Sequence, residues 1–313
     1  MGRLGKIITV GLCPAWDTTC VVEGVDWGEH AVVAERRDSV AGKALNVSRA
    51  LAWMGENSIA AGLWGADDYW RMLEDSKPLR SKVKVRMTAV PGATRQNITV
   101  VDSKGGREMH LRNKCELASK GALAILRDEL ERLVSASSVC VFAGAMPEGL
   151  DREIIGVVNA CAAKGARVVV DTSGPALAKL VGTGAVWMAK PNVRELGELV
   201  GFEAADDVEA IRRACAGVLE KVEILLVSRG AKGAVAVMKE GVWEARAASR
   251  RKAISTVGCG DYLLAGFLKG MRRAASIDEA LVSGIRAASA RAWAETEKGW
   301  AAAKGIKVKV RRR

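Results

Sequence analysis

Between Ser119 and Ser228 the chain alternates helical periodicity with short runs that are apolar without interruption, and this rhythm restricts the fold more than any other feature. Val139-Cys140-Val141-Phe142 and Val168-Val169-Val170 offer no polar face. A strand of that kind must be covered on both sides, which is the situation of parallel strands with helices above and below. The pattern predicts helices over 119–134, 151–163, near 193–199 and over 206–219, with strands over 138–143, 166–171, 185–189 and 222–228. Asp206 with Glu209 predicts a capping box on the last of these helices. With 313 residues, 49% of them hydrophobic, the chain can bury such a core as one large α/β domain or one and a half, and a single domain over residues 1–313 is expected.

The N-terminal part is less regular. Ile7 to Leu12 predicts a strand that ends in Cys13-Pro14-Ala15-Trp16-Asp17, with strand character again from Thr18 to Val22. Asp17 is thereby expected near the carboxyl edge of a sheet, where ligands of α/β folds bind. Ala31 to Arg37 predicts a further strand, and Val47, Leu51 and Met54, at i, i+4 and i+7, predict a helix that stops near Gly55. The Gly42-Lys43 pair opening that helix offers backbone donors and an ammonium to a phosphate, or else is a turn with a solvated lysine. Ser58 to Trp64 reads as a strand and Asp67 to Ser76 as a helix. Lys82 to Ala89, Gln96 to Asp102 and Arg107 to Arg112 read as a small antiparallel unit inserted into the α/β chain. Arg95, in the loop between its first two strands, is either a phosphate fork or solvated surface.

Near the C-terminus, Ser255-Thr256-Val257-Gly258-Cys259-Gly260-Asp261 runs straight into an apolar helical segment, Tyr262 to Met271. Two glycines around one residue, followed by an acid and a helix, describe backbone N–H groups turned outward at a helix N-terminus, which binds anions. The acid opposes an incoming anion, so its presence is explained if it takes a proton from a hydroxyl. A glycine-rich turn with an ordinary capping aspartate is the other reading.

Composition excludes several classes. Seven scattered cysteines with no C-x-x-C pair support neither a disulfide framework nor a zinc site and fit reduced thiols in a cytoplasmic protein. No apolar run approaches the ~20 residues that span a bilayer, and Met1 to Lys6 lacks a leader pattern. The formal charge of +12 owes much to scattered pairs and to the basic tail, residues 304–313, which is expected to be frayed and solvated. No recognition helix or aromatic-plus-basic platform accompanies the charge, so neither a nucleic acid nor a membrane is expected as a partner.

Six stretches stand in an order and spacing similar to that of the ribokinase-like (PfkB) carbohydrate kinases, especially their 1-phosphofructokinase and tagatose-6-phosphate kinase branch. They are Leu12 to Asp17, Ala41 to Val47, Thr94 to Asn97, Lys190-Pro191-Asn192-Val193-Arg194-Glu195-Leu196, Val227 to Gly233 and Ser255 to Asp261. The resemblance implies a three-layer α/β/α domain with a mostly parallel sheet, and a small β-sheet lid formed by segments near 12–40 and 83–113. It implies Asp261 as the base toward a sugar hydroxyl and Gly258, Cys259 and Gly260 as an anion hole, with Cys259 where the family usually has alanine. Asp17, Gly42, Lys43, Asn46 and Arg95 would bind substrate, the lysine and arginine holding a phosphate already on the sugar. Lys190, Asn192, Ser228, Gly230, Gly233 and Gly260 would bind ATP, and Glu195 would organise Mg²⁺ through water. The implied activity is transfer of the γ-phosphoryl of ATP, with fructose 1-phosphate as the expected acceptor. Tagatose 6-phosphate, fructose 6-phosphate, an unphosphorylated sugar or a nucleoside are alternatives, as is a non-catalytic sugar-phosphate-binding role. A homodimer through the lid strands is expected by analogy with the family.

Overall fold

The computed structural model of the protein describes residues 4–249, 251–273 and 276–313, so Met1, Gly2 and Arg3 of the N-terminal stretch read above lie outside the described residues. The chain begins with β1 (Ile7–Gly11), β2 (Ala15–Val22), β3 (Val33–Ala41), α1 (Lys43–Trp53), β4 (Ser58–Gly65) and α2 (Tyr69–Asp75). β5 (Val83–Val90), β6 (Gln96–Asp102) and β7 (Arg107–Arg112) follow. The predicted alternation is then realised as α3 (Lys120–Leu133), β8 (Val139–Ala143), α4 (Asp151–Ala163), β9 (Arg167–Asp171), α5 (Pro175–Gly182), β10 (Val186–Ala189), α6 (Val193–Val200), α7 (Val208–Cys215) and β11 (Ile224–Ser228). A hairpin, β12 (Ala234–Met238) and β13 (Gly241–Ala247), precedes α8 (Cys259–Arg272), α9 (Ile277–Ala292), α10 (Gly299–Ala303) and β14 (Val308–Arg312).

Ten strands form the central sheet in the order β14-β13-β12-β11-β10-β9-β8-β1-β4-β5, parallel from β5 to β11 and antiparallel beyond. Within β8 the alternate side chains part company. Cys140 and Phe142 join the cluster under α3 to α7, while Val139 and Val141 join the one under α1, α8 and α9. Covering on both faces is why that run carries no polar residue, each large apolar side chain so buried stabilising by roughly 1.5–3 kcal/mol.

A second, four-stranded sheet, β3-β2-β6-β7, is separate from the first and is the small sheet expected above as a lid. It differs from the expected antiparallel unit in two ways. β2 and β6 run parallel to each other, so the lid sheet is mixed, with antiparallel pairs only at β2–β3 and β6–β7. The segment from Lys82 to Ala89 is not in it: β5 is the edge of the central sheet and pairs with β4 from Val83 to Val90. Its alternating basic and apolar residues suit any half-covered strand, and here Val83 and Met87 pack under α2 with Trp16, Trp64 and Met72.

The C-terminal segment is also ordered rather than frayed. β14 adds to β13, its Val308 and Val310 packing on the α9 cluster while the basic side chains alternate outward. Arg312 stacks on Trp243 at 5.1 Å and Arg313 pairs with Glu244 at 3.0 Å. The helix-opening residue of α7 is Asp207, whose side chain accepts from the Ala210 N–H at 2.9 Å, not Asp206. Asp206 instead pairs with Arg229 and Lys232 beside the loop after β11.

Candidate active site

The site is assembled where α1 and α8 present their N-termini to the carboxyl ends of β8, β9 and β10. Gly258, at φ 78°, caps α8 in the left-handed region that favours glycine, and Cys259, Gly260 and Asp261 form its first turn. N–H groups in a first turn have no carbonyl partner within their own helix. Cys259 N–H reaches back to Thr256 O at 3.3 Å, and the helix dipole favours an anion in front of the rest. The Cys259 thiol donates to Ser255 O at 3.5 Å, and burial raises its pKa, which disfavours the thiolate.

Asp261 is buried, with 4% of its surface exposed, and one of its carboxylate oxygens accepts from Asn46 Nδ2 at 2.9 Å. That bond joins the first turn of α8 to the first turn of α1. Burial pushes the Asp261 carboxyl up to about 6, and the neighbouring Asp171 carboxylate pushes in the same direction; Asn46, Lys43 and Lys190 oppose them. An aspartate so tuned can accept a proton near neutral pH.

Asp171, missed by the sequence reasoning, lies at the end of β9 and organises the cations. Its Oδ1 accepts from Lys43 Nζ at 3.2 Å and forms an ion pair with Lys190 Nζ, also at 3.2 Å, while its buried Oδ2 has no hydrogen-bond partner. Burial opposes the charge on Lys43, yet Asp171 and then Asp261 outweigh it and hold that ammonium above its ordinary value. Lys190 sits against the anion turn: a Cβ added to Gly260 would come within 3.3 Å of its Nζ. The signal in the sequence was an acid closing an apolar strand, Val168-Val169-Val170-Asp171, the same argument applied above to Asp17.

Asn192 and Glu195 form a reciprocal capping box on α6, with Asn192 Oδ1 accepting from Glu195 N–H at 2.8 Å and Glu195 Oε2 accepting from Asn192 N–H at 2.9 Å. A bridge between Asn192 and Ser228 brings the loop after β11 alongside. In that loop Gly230 and Gly233 both take positive φ, and a Cβ on Gly233 would collide with Ala245 O at 2.0 Å. Arg229 underlies the loop, paired with Asp206 and Glu244 at 2.6 and 2.9 Å.

On the lid, Asp17 lies within β2 rather than at the end of a first strand, opposite Asn97 of β6, whose Nδ2 donates to it at 2.9 Å. The Asn97 Oδ1 is buried without a partner, which makes Asn97 a second polar group for a ligand that the sequence reasoning did not single out. Arg95 is neither free nor solvated. Its Nε, Nη1 and Nη2 donate to the carbonyls of Pro14, Asn113 and Cys13 at 3.2, 2.8 and 3.1 Å. A guanidinium has five N–H donors, so two remain for a ligand. Arg95 also lines a cavity of about 300 Å³ with Pro14, Asn113, Lys114 and Cys115.

A family model described as pfkB family carbohydrate kinase matches residues 5–294. The chain belongs to that family. The kinase is 30% identical over 292 residues to the 1-phosphofructokinase of Bacillus subtilis, which covers 92% of this chain and 93% of that protein. It is 25% identical over 274 residues to the tagatose-6-phosphate kinase of Staphylococcus epidermidis, 85% of each chain being covered. The solved structure of Escherichia coli phosphofructokinase-2 in complex with potassium superposes with a TM-score of 0.87 at 24% identity, over 95% of this chain and 99% of that one. The ribokinase-like fold with its separate small sheet is thus shared, and the protein is a PfkB-type sugar kinase, a class that uses ATP. Among the described residues no helix is long and apolar enough to cross a membrane.

Proposed function

We propose that the kinase transfers the γ-phosphoryl of ATP to fructose 1-phosphate, giving fructose 1,6-bisphosphate, at the junction of α1 and α8. The observation that carries this reading is Asp261, buried, raised to about 6 and held by Asn46 among two lysines. Phosphoryl transfer asks the protein mainly for alignment and charge neutralisation. Asp261 accepts the proton of the attacking hydroxyl, while the turn Gly258-Cys259-Gly260 stabilises charge on the transferring group through its N–H groups, that of Cys259 exchanging its 3.3 Å bond to Thr256 O for the anion. Lys190, Asn192, Ser228, Gly230 and Gly233 are the residues we assign to the nucleotide. Asp17 and Asn97 on the lid, with Gly42 and Asn46 at α1, are assigned to the sugar.

A phosphate already on the acceptor is supported by Lys43 at the helix N-terminus and by Arg95 and Lys114 along the cavity lined by the segments that connect the two sheets. The relatives named 1-phosphofructokinase favour the ketose 1-phosphate over tagatose 6-phosphate. The donor set fits Mg²⁺ held largely by water and phosphate: the orphaned Asp171 Oδ2 and the carboxylate of Glu195 are the protein groups that would hold it. When bound, the metal neutralises charge on the nucleotide phosphates. The outer strands of the lid, β3 and β7, are unpaired at their edges and expose Val33, Met109 and Leu111, which supports a homodimer formed through the lids.

A coupled ADP-release assay across fructose 1-phosphate, fructose 6-phosphate, tagatose 6-phosphate and free fructose tests the assignment. The ketose 1-phosphate is expected to give the highest kcat/KM, and preference for another acceptor overturns it. Lys43→Met is expected to raise the KM of the phosphosugar about tenfold or more. An unchanged KM would remove Lys43 from the sugar-phosphate site.

A further inference from the structure

The turn in front of α8 is fastened from behind by the last turn of α9. Ile254 and Ser255 both donate backbone N–H groups to Ala292 O, at 2.7 and 3.2 Å, and Arg291 Nε donates to Val257 O at 3.0 Å. Arg291 thereby stands beside the anion turn, because a Cβ built on Gly258 would lie 3.5 Å from its Nε. Its guanidinium carbon is 5.9 Å from the centre of the Tyr262 ring in the next part of α8, and its charge opposes the rise in the Cys259 pKa that burial causes.

A cation in the last turn of a helix is stabilised by that helix's dipole, which accounts for an arginine at this position of α9. The dipole does not account for the rest of the side chain. Among the described residues no carboxylate forms an ion pair with Arg291, and its terminal nitrogens have no acceptor. The other charged groups of the site are arranged differently: Lys43 and Lys190 share Asp171, and Arg229 is neutralised by Asp206 and Glu244. A partly buried guanidinium without a counter-charge, set against the positive end of α8, is electrostatically unfavourable until an anion enters.

We propose that Arg291 is a further phosphate-binding residue of this kinase, its terminal nitrogens donating to the phosphates of the nucleotide while its Nε holds the Val257-Gly258 turn. The proposal rests on the reading of Gly258 to Asp261 as the phosphoryl-transfer site. It adds a fixed cation from α9 to a set otherwise drawn from α1, β10 and the loops. The nucleotide gains a planar, forked donor there in addition to the point charge of Lys190.

Steady-state kinetics of Arg291→Ala, Arg291→Lys and, in parallel, Asp261→Asn test it. Arg291→Ala is expected to lower kcat/KM for ATP by about a hundredfold while leaving the KM of the sugar phosphate within twofold. Arg291→Lys should recover part of the loss, and millimolar guanidinium added to Arg291→Ala should recover more of it than it changes the parent. Unchanged ATP kinetics in Arg291→Ala beside an inactive Asp261→Asn overturn the role of Arg291 alone. A loss that falls equally on ATP and sugar and does not respond to guanidinium also overturns it, leaving Arg291 as a loop tether. An active Asp261→Asn overturns the site reading itself.

Discussion

Asp261→Asn is expected to lower kcat by about a hundred- to ten-thousandfold, the usual contribution of a positioned general base, with little change in substrate KM. The same carboxylate should set the acid limb of the pH profile. A base works only when ionised, so kcat/KM is expected to be level above the Asp261 pKa of about 6 and to fall about tenfold per pH unit below it. The linkage to stability has the opposite sign to that of a paired surface acid. Because the folded-state pKa is raised above the ordinary 3.8, the native state binds the proton more tightly than the unfolded chain. Stability is therefore highest below about pH 4 as far as this group is concerned, and declines as pH rises through about 6. The asparagine variant has no charge to bury, so at neutral pH it should melt a few degrees higher than the parent even as it loses turnover. Differential scanning calorimetry at pH 5 and pH 7.5 checks this: the gap between variant and parent should widen at the higher pH, and a lower melting temperature for the variant at pH 7.5 would contradict the assignment of a strained, buried base.

Asp171→Asn should have the second largest effect, and through two routes. Lys190 is buried, with only 5% of its side chain exposed, and its ion-pair partner is Asp171. Leaving that ammonium without its counter-charge is expected to destabilise the fold by about 3 kcal/mol or more, readable as a lower urea midpoint. The second route is electrostatic. Asp171 helps to raise the Asp261 pKa, so its neutralisation should move the acid limb of the residual activity to lower pH. A limb that stays put, or moves upward, would mean that burial alone tunes the base.

Much of this architecture was legible because burial on both faces leaves a plain trace. The runs Val139 to Phe142 and Val168 to Val170 could belong only to covered strands, and β8 and β9 are such strands. What the pattern could not reveal was which sheet a half-covered strand joins. β5 and the lid strands share the same alternation, and only the packing of Val83 and Met87 on Trp64 and Met72 decides the matter. The tail misled for a similar reason: charge on alternate residues was read as solvation, although Val308 and Val310 between those charges had a place on the α9 cluster. At the site, the motif residues Asn46, Lys43 and Lys190 lie around Asp261 although they come from distant parts of the chain. Asp171 was overlooked although the apolar strand that it closes was in view, and no motif surrounds Arg291 to mark its contact with Val257, 34 residues away.

Arg95 has a mechanical consequence. The polypeptide passes between the two sheets at four places, and this side chain, itself on the passage from β5 to β6, binds carbonyls on two of the others, Cys13 and Pro14 before β2 and Asn113 after β7. Its own carbonyl accepts from Trp16 N–H at 2.8 Å. Three of the four passages are thus coupled through one residue. Displacing any one of these three passages relative to the others must break several of these hydrogen bonds at once, so Arg95 ties them mechanically into one unit.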